Sequence, residues 1–203
     1  MQPLSQSLAA KPIIGEAKLI ELTETLVNFD ARTQVIVALT GLNEKKVRPL
    51  IKTLTGKELV RGPCQFPNAK FFAGALRKRN PTANLHSTMF LSGYVKLRST
   101  CFSEPMHEGF LLATAFQGYM EVLSSHPEMI REAAVLDINR AYALVRCFDR
   151  KEVELVGCAC CDSKYLILNW VERDASNCPI CARTAHRKFL AEVGRQGGRR
   201  RIA

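Results

Sequence analysis

The sequence predicts a mainly α protein, a helical N-terminal domain followed by a small C-terminal β ribbon closed by cysteines. Three observations lead there. Apolar residues recur at helical spacing in successive blocks between Lys18 and Phe148. The period then shortens to two at Glu152-Val153-Glu154-Leu155, as in a strand. Finally, two C-x-x-C pairs, Cys158 with Cys161 and Cys178 with Cys181, flank an interval of sixteen residues.

Residues 1–15 carry Pro3, Pro12 and Gly15 without a periodic face and read as a flexible arm. In the first helix, over Lys18 to Val27, Leu19, Leu22, Leu26 and Val27 share one side, and Val35, Ile36 and Leu39 mark a second, from Arg32 to Thr40. A third runs from Glu44 to about Leu54, capped by Asn43 and stopped by Gly56. Gly62, Pro63 and Pro67 then mark a loop. Phe71 and Phe72, which precede the Arg77-Lys78-Arg79 run, are expected in the core. Two longer helices follow, with stripes at Leu85, Met89, Phe90, Tyr94 and Leu97 and at Leu112, Phe116, Tyr119, Met120 and Leu123. Ser125 and Glu128 form a possible capping box for a helix through Ile130 and Ala134. A last helix carries Ile138, Ala141, Tyr142 and Val145 toward Phe148. The helical domain is thus expected over 16–150, the ribbon over 151–185 and a basic tail over 186–203.

The segment 33–54 fits a helix-turn-helix-like element. Gly41 tolerates the positive φ of the turn and Leu42 plugs the angle between the helices, with Val47, Leu50 and Leu54 expected inward. Lys45, Lys46, Arg48 and Lys52 would face outward, where they can meet phosphates or guanine edges. Two amphipathic helices joined by a glycine are common, however, and Pro49 inside the second predicts a kink, since proline removes a backbone bond and clashes with the preceding turn.

In the ribbon, Tyr165 to Trp170 is β-prone, which gives an order of strand, knuckle, strand, knuckle. Two thiolates per knuckle can close a tetrahedral all-sulfur shell around one zinc ion. Such a shell leaves no position for water or substrate, so the site supports folding and argues against a zinc enzyme. Spacing favours Cys161 over Cys160 as the ligand, leaving Cys160 a spare thiol. Iron in a rubredoxin-like knuckle and a redox Cys178-Pro179-Ile180-Cys181 are the alternatives. The redox reading lacks the βαβ unit such chemistry wants. His86, His107, His126 and His186 have no ligand spacing and read as structural or solvent-facing.

The chain has 203 residues and a net charge of +10, and residues 182–203 alone carry +6. Arg183, Arg187 and Lys188 directly follow the last cysteine pair. Guanidinium groups in such density suit phosphate, whose neutralisation releases condensed counterions. An isolated charge run is more often a solvated tail, but beside a metal module and a helix-turn-helix candidate it points to nucleic acid. RNA is the second reading, weakened because only Tyr165 and Trp170 offer aromatic stacking surfaces in the ribbon. No leader-like or membrane-spanning apolar run is seen, and paired cysteine spacing in a reducing cytoplasm means metal more often than disulfide.

Three ordered motifs carry a family resemblance: Asn84-Leu85-His86-Ser87-Thr88-Met89-Phe90, Asn139-Arg140-Ala141-Tyr142-Ala143-Leu144-Val145-Arg146, and Cys158-Ala159-Cys160-Cys161 with Cys178 and Cys181. From about Ala17 to Arg187 the chain resembles the FlhC family, the larger subunit of the flagellar master regulator; Pro49 and the Gly197-Gly198-Arg199-Arg200-Arg201 tail depart from its pattern. The resemblance implies a cytoplasmic bacterial transcriptional activator without enzymatic activity. It implies a hetero-hexamer of two such chains with four copies of the small helical subunit FlhD, which binds and bends double-stranded promoter DNA and recruits RNA polymerase to flagellar class II operons. By motif position Cys158, Cys161, Cys178 and Cys181 would hold one structural Zn2+. Arg77, Lys78, Arg79, Arg183, Arg187 and Lys188 join the cations of 45–52 as candidate DNA contacts.

Overall fold

The computed structural model describes residues 15–56, 65–74, 81–100, 107–126, 136–171 and 178–181. The expected arm, the Arg77-Lys78-Arg79 run, the helix through Ile130 and Ala134, and the tail with Arg183, Arg187 and Lys188 lie outside these residues. The elements run α1 (Glu16–Asn28), α2 (Thr33–Thr40), α3 (Glu44–Thr55), α4 (Ala69–Phe72), α5 (Pro81–Thr100), α6 (Glu108–Ser125), α7 (Ile138–Asp149), β1 (Val153–Gly157) and β2 (Lys164–Leu168).

Helices α1, α2 and α3 pack on one another, joined by short turns. Gly41 ends α2 in the left-handed region at φ 70°, its N–H donating to the Val37 carbonyl. The Asn43 side chain then caps α3 by accepting from the Lys45 N–H at 2.9 Å. Helix α3 runs without a break past Pro49, which faces solvent. The carbonyl that its missing N–H would have served belongs to exposed Lys45, where water can reach it.

The inward face of α3 differs from the expected one. Val47 and Ile51 are buried, Leu50 is half-buried and Leu54 is 42% exposed. A four-residue step keeps 47 and 51 on one face, and Leu54, on the same side, stands in the last turn before the Gly56 cap. Met120 of α6 is likewise exposed, because its neighbours Tyr119 and Leu123 take the inward positions.

One hydrophobic core joins α1 through α7, with Leu22, Leu26, Ile36, Phe72, Phe90, Leu91, Leu112 and Leu123 among its fully buried side chains. Phe72 is in this core and Phe71 packs at its margin. Glycine at 109 lets α6 approach α1 and α2. A Cβ there would stand 2.6 Å from Leu22 Cδ2 and 3.1 Å from the Leu39 carbonyl oxygen. The Asn139 side chain on α7 ties down the turn between α1 and α2: Oδ1 accepts from the Arg32 N–H at 2.8 Å and Nδ2 donates to the Asp30 carbonyl at 3.3 Å.

Strands β1 and β2 pair antiparallel, Val153 opposite Leu168 and Gly157 opposite Lys164. Period-two alternation sends Val153, Leu155, Leu166 and Leu168 into the helical core. Val156, Tyr165 and Ile167 point the other way and pack with Cys158 and Cys178. Strand β2 therefore has no solvent face from Tyr165 onward. It ends at Leu168, short of the expected run, and Trp170 stands 63% exposed in the turn beyond.

Candidate metal centre and cationic surfaces

The hairpin between β1 and β2 is itself the first knuckle. Gly157 pairs with Lys164, and the six residues between them turn through Cys158 and Cys161. Two main-chain bonds and one to a side chain shape the turn: the Cys158 N–H donates to the Ser163 carbonyl at 3.0 Å, the Asp162 N–H to the Cys158 carbonyl at 2.9 Å, and the Cys160 N–H to Cys158 Sγ at 3.4 Å. Asp162 adopts φ 56°, a left-handed turn that Asp tolerates better than most residues. Cys178 directly precedes residues 179–181, which are helical, and is fully buried.

These two turns bring the four sulfurs of Cys158, Cys161, Cys178 and Cys181 within 4.8 Å of one another. Two approaches run between knuckles: Cys158 Sγ to Cys181 Sγ and Cys161 Sγ to Cys178 Sγ, both 3.7 Å. A zinc tetrahedron with Zn–S bonds of about 2.3 Å has sulfur edges of about 3.8 Å, so this donor set fits that ion. A disulfide would need about 2.05 Å, and these cysteines are free thiols. Cys160 is exposed and outside this group of four.

The thiols pull one another's protonation apart. The Ser163 N–H and hydroxyl beside Cys161 hold its thiol down at about 6. Hydrogen bonding to Cys161 and burial push Cys181 up, and burial raises Cys178. Four thiolates in such a space repel unless a cation sits between them. A divalent metal supplies that charge and takes all four deprotonated.

Of the proposed nucleic-acid contacts, Lys45, Lys46, Arg48 and Lys52 are described, and all four are exposed on α3. Arg48 pairs with Glu44 at 2.6 Å and Lys46 reaches Glu16 of α1 at 2.7 Å. Exposed pairs of this kind are weak and screened by salt, so a phosphate can displace the carboxylate. Lys45 and Lys52 form no ion pair among the described residues.

Two of the histidines take structural roles. His107 Nδ1 accepts from the Gly109 N–H at the start of α6, and buried His86 bonds to the Tyr119 hydroxyl at 2.8 Å. Sequence reasoning missed Asn84, which is 3% exposed and joins α5 to β2. The available signal was a pair of polar residues four apart, Asn84 and Thr88, inside an otherwise core-forming helix.

A four-sulfur cluster on a ribbon that shares its core with a helical body defines a class: a mainly helical protein with a group of cysteines that could hold a metal ion. No helix among the described residues is long and apolar enough to cross a membrane. The family model for the flagellar transcriptional activator (FlhC) matches residues 8–189. Similar proteins include the flagellar transcriptional regulators FlhC of Serratia marcescens and Yersinia enterocolitica. Each is 26% identical over 174 residues, covering 86% of this chain and 83% of its relative. That of Variovorax paradoxus (strain S110) is 23% identical over 198 residues, covering 94% of this chain and 91% of its own. The chain belongs to the FlhC family of flagellar transcriptional activators.

Proposed function

We propose that this chain is the DNA-binding activator subunit of a cytoplasmic bacterial complex with a FlhD-type small helical subunit, two copies with four. The complex binds promoters of flagellar class II operons and activates RNA polymerase. The observation that carries this reading is the family match over residues 8–189, which spans the helical body and the sulfur cluster together. The protein has no catalytic role in it.

Zn2+ is held by Cys158, Cys161, Cys178 and Cys181, one ion per chain. The ion supplies positive charge and a rigid tetrahedral cross-link; the residues around it do the rest. Val156, Tyr165 and Ile167 form the floor on which Cys158 and Cys178 rest. Arg183, Arg187 and Lys188, which follow Cys181 directly, grip phosphates, and Lys45, Lys46, Arg48, Lys52, Arg77, Lys78 and Arg79 supply further cationic contacts. Phosphate contacts set position and not sequence, so discrimination comes from base contacts or from the bend.

The test is a mobility-shift titration of a flagellar promoter fragment with and without the small subunit at two salt concentrations, on protein of measured zinc content. Stoichiometric zinc and a salt-sensitive, subunit-dependent shift support the reading. A fully loaded complex that treats promoter and random DNA alike would sink it.

A further inference from the structure

Strand β2 has two edges. One pairs with β1; at the other, the Asn84 side chain of α5 meets Leu166. The Leu166 N–H donates to Asn84 Oδ1 at 3.1 Å, and Asn84 Nδ2 donates to the Leu166 carbonyl at 2.7 Å. This exchange copies the two bonds that a residue of a third strand would make. The remaining capacity of the amide is also used. Nδ2 donates to the Ala73 carbonyl at 2.9 Å, and Oδ1 accepts from the Thr88 hydroxyl at 3.1 Å. All four bonds of a buried amide are made, and only asparagine offers a donor and an acceptor at this reach.

Leu166 occupies a particular place in the ribbon. Its side chain enters the helical core, and its neighbours Tyr165 and Ile167 lie under Cys158 and Cys178 on the opposite face. The same strand leads out of the first knuckle at Cys161 and onward to the second at Cys178. Holding the Leu166 backbone therefore fixes the floor of the sulfur cluster relative to α5.

We propose that Asn84 is a positioning residue for the metal centre, anchoring β2 to α5 so that metal binding and the order of α5 are coupled. The inference rests on the reading of the four cysteines as a metal site. Coupling is reciprocal: a side chain that metal binding holds in place must in turn raise the affinity for metal.

The experiment uses the full chain copurified with its small subunit. Metal content is measured first. The ion is then exchanged for Co2+, whose thiolate absorption reports tetrahedral sulfur geometry, and chelator competition gives affinity. Asn84→Ala is expected to weaken metal binding about tenfold, the size seen for outer residues that orient ligands. Thr88→Val, which removes one outer bond, changes it less than about twofold. Leu22→Ala, a core truncation in α1, lowers the melting temperature and leaves metal affinity unchanged. If Leu22→Ala weakens metal as much as Asn84→Ala, or if Asn84→Ala stays within about twofold of the parent, the coupling is overturned.

Hydrogen exchange on the unsubstituted complex tests the same point should Asn84→Ala not fold. Chelation is expected to release protection at Leu166 and in α5, while α1 stays protected. An α5 that keeps its protection when the ribbon loses its own overturns the proposal. A parent protein found metal-free overturns the metal reading and the coupling together; zinc-loaded protein indifferent to Asn84 overturns only the coupling.

Discussion

Gly109 leaves no room for a side chain on α6 where Leu22 and the Leu39 carbonyl press against it. Gly109→Ala is expected to destabilise the fold by about 1–3 kcal/mol, since the leucine tip can move but the carbonyl cannot. Thermal melting would register this, and an unchanged midpoint would mean that the helices separate freely. The cysteines call for a sharper comparison. Cys161→Ala or Cys178→Ala is expected to abolish stoichiometric zinc and DNA binding, whereas Cys160→Ala keeps both; metal analysis and a shift assay on the three variants decide. Equal damage from all three would mean that Cys160 is itself a ligand. The spacing that separates Cys160 from its neighbours was legible in the sequence, because two-residue gaps form knuckles. The role of Asn84 was not, because its partner Leu166 is 82 residues away and backbone atoms leave no trace in composition.

At the level of elements, the helices were readable from periodicity, and the caps from Asn43 and the glycines. The exact inward residues were harder. In α3 the expected set of Val47, Leu50 and Leu54 gave way to Val47 and Ile51, since the direction of contact with α1 decides between adjacent apolar positions. Pro49 sits on the exposed side of an unbroken helix. Pro49→Ala restores a backbone hydrogen bond and is expected to raise stability by about 1–3 kcal/mol, measured by denaturant titration. A loss of stability would show that the proline sets a geometry the core depends on. The β-prone stretch was legible as far as Leu168, whereas Trp170 was placed in it by aromatic propensity alone. The register puts Leu168 opposite Val153, the first residue of β1, so the ladder ends there.

On the scale of the whole molecule, the change of hydropathic period after Arg150 was visible, yet the hydrophobic core runs across it. Val153, Leu166 and Leu168 belong to the same cluster as Leu22 and Phe90. Chelation of the intact protein is therefore expected to unfold the ribbon and to expose apolar helix surface as well, seen as dye binding alongside loss of near-ultraviolet dichroism. Retention of both native signals after complete metal removal would count against a structural ion. If the cationic residues bind phosphates as proposed, promoter affinity falls steeply and log-linearly with salt. Replacing Lys45 and Lys52 together should flatten that slope by about two if both touch phosphate; an unchanged slope would exclude them.

A two-stranded sheet normally leaves a row of open backbone groups on which another chain can build, and such an edge invites aggregation. Here the amide of Asn84 occupies that row at Leu166, in the middle of β2. Capping this edge from within the same chain makes β2 a poor template for intermolecular growth.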